Sequence, residues 1–239
     1  MGESLVGFTK EELKRLIIVF LLTDGYVAWR NKRNQVQLKF YNKDKPLHEL
    51  FSEIMLGTFN AKPVMFFANH GRVMVTIFEF SKNSKIVDEI YELCPEFRTN
   101  EEYCPAPTIN CILESPRKVR KLAFRIAMST DGCISLAGGR PRLRLGSSHP
   151  SLAKEWKELA KSVGVYMNPI RDRNTWSGVH GINTDKKENV KAFLAMGGFC
   201  EGTRAHRSKH FKSQEKNLIL EQCVNYLNSK KSKARRMGP

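Results

Sequence analysis

LKRLIIVFLLTDG, Leu13 to Gly25, is the stretch on which the fold turns: an apolar helix that stops at an acid followed by a glycine. Lys121 to Gly132, KLAFRIAMSTDG, repeats it. Both runs close on Thr-Asp-Gly and lead into a short segment of strand character. Matching patterns at matching places in two similar units mark a tandem duplication. Each aspartate, Asp24 and Asp131, sits at the unfavourable end of its helix, where the last carbonyls carry partial negative charge. Something must offset that cost. A divalent metal would do so, because hard cations take carboxylate and carbonyl oxygens alike, and two helix ends brought together offer both.

With 239 residues, 41% of them hydrophobic, the chain has enough apolar material for two similar halves that share an interface. Forty Lys and Arg against 24 Asp and Glu give a net charge of +16 and a pI near 9.7. That excess calls for a polyanion, nucleic acid first, since each neutralised phosphate releases counterions. A solvated basic surface or ribosomal RNA binding would need the same charge. Ile17 to Leu22 is far short of the roughly 18 apolar residues that span a bilayer, so no membrane is expected. MGESLVGFTKEE has no basic-then-apolar layout and the six cysteines form no C-x-x-C pair, so the protein is expected inside the cell. Cys104 and Cys111 share a proline-rich segment and could pair in a hyperthermophile; free buried thiols are the expected state.

Residues 1–93 read as the first repeat. The Thr9-Lys10-Glu11-Glu12 capping box starts its long helix. Strands at 26–30 and 35–41, a helix opened by Asp44 and Pro46, strands at 63–68 and 72–80, and a helix at 84–93 give an αββαββα order. Residues 94–116, with prolines at 95, 105, 107 and 116, read as a connector, and Pro116 as the first helical residue of the next helix. Residues 117–228 repeat the order. Strands fall at 133–137 and 140–146, then a helix at 150–163 capped by Ser148, strands at 165–171 and 176–183, and a helix begun by the Asp185-Lys186-Lys187-Glu188 box. An extra helix over 214–227 and a disordered basic tail at 229–239 follow. The fold class is α+β, built of two pseudo-symmetric repeats with two antiparallel sheets.

IIVFLLTDG (Ile17 to Gly25) and FRIAMSTDG (Phe124 to Gly132) resemble the motif of the LAGLIDADG homing endonucleases in their single-chain, two-motif form. The resemblance covers nearly the whole chain through the repeated element order. The closing Asp-Gly matches best; the other letters match in apolar character. The third and seventh positions, often small in the family, are Val19 and Thr23 here, and Ile126 and Thr130. The resemblance implies a monomer with its motif helices packed at the centre and Asp24 and Asp131 holding Mg²⁺ or Mn²⁺. Two sheets would form a saddle along the major groove of a long pseudo-palindromic or asymmetric duplex target. One phosphodiester per strand would be hydrolysed across the minor groove, leaving short 3′ overhangs.

The family's amide and lysine near the cleavage centre fall on Asn42 and Lys43 of LKFYNKDKPL (Leu38 to Leu47). LRLGSSHPSL (Leu143 to Leu152) places Ser147 and Ser148 there instead, and Lys209 or Lys212 of the basic loop could replace the missing lysine. Base reading is expected from polar sheet faces, because arginine pairs with guanine O6 and N7, and glutamine with adenine N6 and N7. The candidates are Gln35, Gln37, Lys39, Tyr41 and Arg72 in the first half, and Arg140, Arg142, Arg144, Arg171 and Arg173, with His180 and Asn183, in the second. Each serves equally well as a phosphate contact. Cys200, His206 and His210 are too few for a zinc site. No initial Cys or Ser and no terminal His-Asn pair suggests protein splicing, so a free-standing or intron-encoded protein is expected. The same fold serves RNA maturases and DNA-binding proteins without nuclease activity; retention of both acids favours the nuclease.

Overall fold

Thr9 opens the first helix, α1 (Lys10–Leu22), by a reciprocal pair of bonds: Glu12 N donates to Thr9 Oγ1 at 3.2 Å and Thr9 N to Glu12 Oε2 at 2.8 Å. From Leu16 to Leu22 every α1 side chain is buried. A helix apolar on all sides must be covered on all sides. In this computed structural model, which describes residues 4–68, 70–102, 105–137, 140–206, 208 and 211–236, the cover comes from α1's own sheet, from α2 (Lys45–Phe59), and from α5 (Arg117–Thr130), the second motif helix. Lys118 of α5 pairs with Glu12 of α1 at 2.7 Å.

β1 (Gly25–Arg30), β2 (Gln35–Asn42), β3 (Val64–Ala68) and β4 (Val73–Ser81) form one antiparallel sheet in the order β1-β2-β4-β3. β5 (Gly132–Ala137), β6 (Arg140–Leu145), β7 (Asn168–Arg171) and β8 (Val179–Thr184) form the other in the equivalent order, β5-β6-β8-β7. The chain is α+β. Alternation along β2 buries Val36, Leu38 and Phe40, and Phe40 meets Phe20 of α1 edge-on at 5.1 Å. α3 (Lys85–Leu93) and α7 (Lys187–Ala195) follow the two sheets, and α6 (Pro150–Ser162) joins β6 to β7. Among the described residues no helix is long and apolar enough to cross a membrane.

The departures from sequence expectation are local. The connector holds a short helix, α4 (Asn110–Leu113), and Pro116 is the cap of α5 instead of its first residue. His149, not Ser148, caps α6, because the Ser148 hydroxyl is spent on Thr99 O at 3.1 Å. The Asp185 capping box does not form; Lys186 is the cap of α7, and its amide donates to Thr184 Oγ1 at 3.4 Å. β7 and β8 are shorter than expected, with a register shift between Ile170 and Arg171 and Trp176 left in the turn. Nor is 229–236 a disordered tail: α8 (Lys216–Arg236) runs through it, since Lys, Ala and Arg are strong helix formers. The five described cysteines are free thiols, with burial pushing Cys111 up to about 12; Cys104 lies outside the described residues.

Candidate active site

Both motif helices end in the same way. Thr23 Oγ1 returns to Val19 O at 2.9 Å, and Thr130 Oγ1 to Ile126 O at 3.0 Å, so each motif threonine satisfies a late helix carbonyl. The chain then turns straight into a strand. A Cβ at Gly25 would lie 2.3 Å from Leu21 Cα, and one at Gly132 2.4 Å from Met128 O, so only glycine lets the strand leave this close to its helix. Between threonine and glycine the acids are pinned alike: Asp24 O accepts from Tyr41 N at 3.0 Å and Asp131 O from Gly146 N at 3.2 Å.

The carboxylates have different surroundings. Asp24 is half-buried and its Oδ2 accepts from Asn42 Nδ2 at 2.6 Å. Asn42 Oδ1 in turn accepts from Asp44 N at 2.8 Å. Asp44, 5% exposed, sits at the cap position of α2, yet its carboxylate makes no capping bond. It accepts instead from His206 Nε2 at 2.8 Å and Arg204 N at 3.1 Å, both in the loop after α7. A relay Asp24–Asn42–Asp44–His206 thus joins the first motif to the second half. Behind it His48 donates from Nε2 to Asn42 O at 3.1 Å, which leaves Nδ1 to accept from the Thr76 hydroxyl at 2.7 Å. Burial pushes the His48 pKa down, with the Asn42 carbonyl and Asp44 opposing.

Asp131 is exposed, and the backbone carbonyls around it hold a lysine. Lys216 is 7% exposed; its ammonium donates to Ser129 O at 2.7 Å and Gly132 O at 3.0 Å and lies 5.3 Å from the Phe199 ring centre. Burial pushes this amine down, while Asp44, Cys133, Asp24 and Asp131 all pull toward the charged form.

Lys43 is exposed next to Asn42. At the matching places Ser147 donates its amide to His180 O at 3.5 Å and Ser148 is tied to the connector. Lys212 is exposed, and Lys209 and His210 lie outside the described residues. Cys200 is buried and His206 is bonded to Asp44. Among the described residues no group of three or more His, Cys, Asp or Glu is gathered to hold a metal.

The register sets Gln35, Gln37, Lys39 and Tyr41 on one face of β2, with Glu79, Ile77 and Val75 beside them on β4. Gln37 is 3% exposed and held between the Arg30 Nε, which donates to it at 2.8 Å, and Glu79. Toward the outer edge this face turns apolar, with Val64 and Phe66 of β3 exposed. The polar reading of β2 carries no hint of that edge. In the second half Arg140, Arg142 and Arg144 alternate with the buried Pro141, Leu143 and Leu145, and Asn183 lies opposite Arg144. Arg72, Arg171 and Arg173 are exposed, and His180 is half-buried on β8.

Neither a family model nor a curated protein matches the chain. Solved structures do. The homing endonuclease I-DmoI in complex with DNA and Ca is 12% identical with a TM-score of 0.58, over 90% of this chain and 100% of that one. Full-length DUF199/WhiA from Thermatoga maritima is 11% identical with a TM-score of 0.54, over 97% of this chain and 70% of that one. A separate structure of the N-terminal LAGLIDADG domain of DUF199/WhiA is 9% identical with a TM-score of 0.51, over 79% of this chain and 83% of that one. The likeness is one of architecture: this chain has the LAGLIDADG fold.

Proposed function

We propose that the protein is a site-specific endonuclease that hydrolyses one phosphodiester in each strand of duplex DNA, with Mg²⁺ or Mn²⁺ held by Asp24 and Asp131. The observation that carries this reading is the matching build of the two motif ends: Asp24 and Asp131 follow equivalent helices, each between a threonine bonded back to its helix and a glycine that no other residue could replace, and a buried ammonium already sits on the carbonyls at the second. It also speaks for the fit of a hard divalent ion: the donors are oxygens at two negative helix poles, and a cation is already drawn in. The I-DmoI structures, complexes with DNA and Mn or with target DNA in the presence of Mg, support the same use.

A bound ion supplies charge neutralisation at the scissile phosphate and a more acidic water. The rest is the work of this chain. Asn42 fixes the Asp24 carboxylate and keeps one amide N–H to orient a water. Lys43, exposed beside it, places positive charge against the strand. The second half-site has serines where the first has Asn42 and Lys43, so the two strands meet unequal surroundings. A staggered cut with short 3′ overhangs, made by a monomer on a long target, completes the reading. Arg140, Arg142 and Arg144 supply three in-line guanidinium groups for the major groove.

A randomised duplex library incubated with protein and Mg²⁺ or Mn²⁺, followed by sequencing of cut ends, tests this. Wild type should release one family of staggered ends; Asp24→Asn and Asp131→Asn should bind the same duplexes in Ca²⁺ and leave them whole. Binding without cutting by wild type would overturn the nuclease and leave a DNA-binding protein or RNA maturase.

A further inference from the structure

A lysine this buried needs a reason, since an ammonium removed from water is costly unless its charge is answered. Lys216 answers it with the two carbonyls that flank Thr130 and Asp131, at the negative pole of α5. Its mount is rigid. Lys216 N donates to Thr203 O at 2.8 Å, the Asn217 side chain grips Phe199 N and Phe199 O at 2.9 Å each, and Cys200 N donates to Ser129 Oγ at 2.7 Å. Arg125, from α5 itself, donates to the carbonyls of Gly197, Gly198 and Phe199. Residues 197–200 and 216–217 are thus strapped to the end of α5, and Arg204 and His206 reach across to Asp44. Nothing in the hydrolysis described above uses this lysine.

We propose that Lys216 is a positioning residue for the two-carboxylate centre: a built-in counter-cation that holds the second motif end in place before metal arrives and competes with the metal for the same negative charge. This rests on Asp24 and Asp131 being the metal ligands. The ammonium sits on the Ser129 and Gly132 carbonyls around Asp131, with Asp44 and Asp24 favouring its charged form as well, so a cation bound by the motif acids answers part of the same negative charge and the two occupancies are linked. Removing the ammonium takes one positive charge away from this end of the site. Metal affinity then rises, where loss of a merely structural tie would leave it unchanged or lower it.

Calorimetric titration of Ca²⁺ into the DNA-free protein, for wild type, Lys216→Met and Lys216→Arg, reads the competition directly. Lys216→Met should bind Ca²⁺ at least about tenfold more tightly, the scale on which one nearby charge alters an ionic equilibrium. Lys216→Arg should bind like wild type. Melting in chelator should fall for Lys216→Met, and Ca²⁺ should raise its Tm by more than it raises that of wild type. A folded Lys216→Met with unchanged or weaker Ca²⁺ binding overturns the proposal. If that variant folds only when Ca²⁺ is present, the proposal is supported; if it folds in neither condition, Lys216 is a structural tie and the proposal fails. Wild type that cuts DNA while Lys216→Met binds Ca²⁺ no more tightly sinks this inference alone; no Ca²⁺ binding by any of the three, with no cutting, sinks the metal reading as well.

Discussion

Gly25→Ala puts the link between motif and chemistry to the hardest use. A Cβ there would stand 2.3 Å from Leu21 Cα and 2.4 Å from Phe20 O, while ordinary contact begins near 3.4 Å. Both atoms are backbone and cannot rotate away, so the strand must move by about 1 Å from its helix. Overpacking of this kind costs about 1–3 kcal/mol, and at about 2–4 °C per kcal/mol for a chain of this size the melting temperature should fall by roughly 2–12 °C. The larger effect is on rate. Asp24 is the residue next to the clash and is pinned through its own carbonyl to Tyr41, so the shift passes into the carboxylate. A misplacement of about 1 Å costs about 100-fold in rate. Single-turnover cleavage of a duplex recovered from the library, resolved by strand and run well below the variant's melting point, separates the two effects. Gly132→Ala, with its Cβ 2.4 Å from Met128 O, should act the same way. A folded Gly25→Ala that cuts at the wild-type rate would refute the claim that this glycine sets the position of a catalytic acid.

Asn42→Ala removes the 2.6 Å bond to Asp24 and the acceptor for Asp44 N; cleavage should fall at least about tenfold while stability falls by about 1 kcal/mol, read by the same two assays. His48 is buried and its pKa is held below the ordinary 6.5, so the unfolded chain binds the proton more readily. Stability should therefore be complete above about pH 6.5 and decline as pH falls through and below it; His48→Gln, which can keep both hydrogen bonds, should flatten that decline in a series of melts. Arg142→Ala should weaken DNA binding by about 1–3 kcal/mol and relax preference at one base pair. A uniform loss across sequences, with the salt slope reduced by about one, would make Arg142 a phosphate contact instead.

What the sequence made legible is what is local. The capping box at Thr9, the alternation along β2 and β6 and the Thr-Asp-Gly closures each state their structure within a few residues, and twice over where the unit repeats. The misplaced caps at Ser148 and Asp185 were decided by neighbours, Thr99 for Ser148 and Thr184 for Lys186. The same limit hid half of the site. Asp44 reads as an ordinary helix cap until His206 and Arg204 arrive from 160 or more positions away. Lys216 opens α8, and nothing in its own stretch points 84 positions back to Gly132.

That hidden half has a common origin. A duplication can supply two acids on equivalent helix ends, each with its threonine and its glycine, but it cannot make the ends differ. Beyond the Asn42–Lys43 and Ser147–Ser148 substitutions within the repeats, a further difference comes from residues after α7, which lie outside the repeated αββαββα order. From there His206 and Arg204 are sent to the first motif's side and Lys216 to the second's. The first motif end thereby gains a hydrogen-bonded relay, and the second a buried ammonium on its backbone carbonyls. Swapping substitutions between the repeats can equalise the acids and the residues beside them, and the two half-sites would still differ as long as this unrepeated segment stays in place.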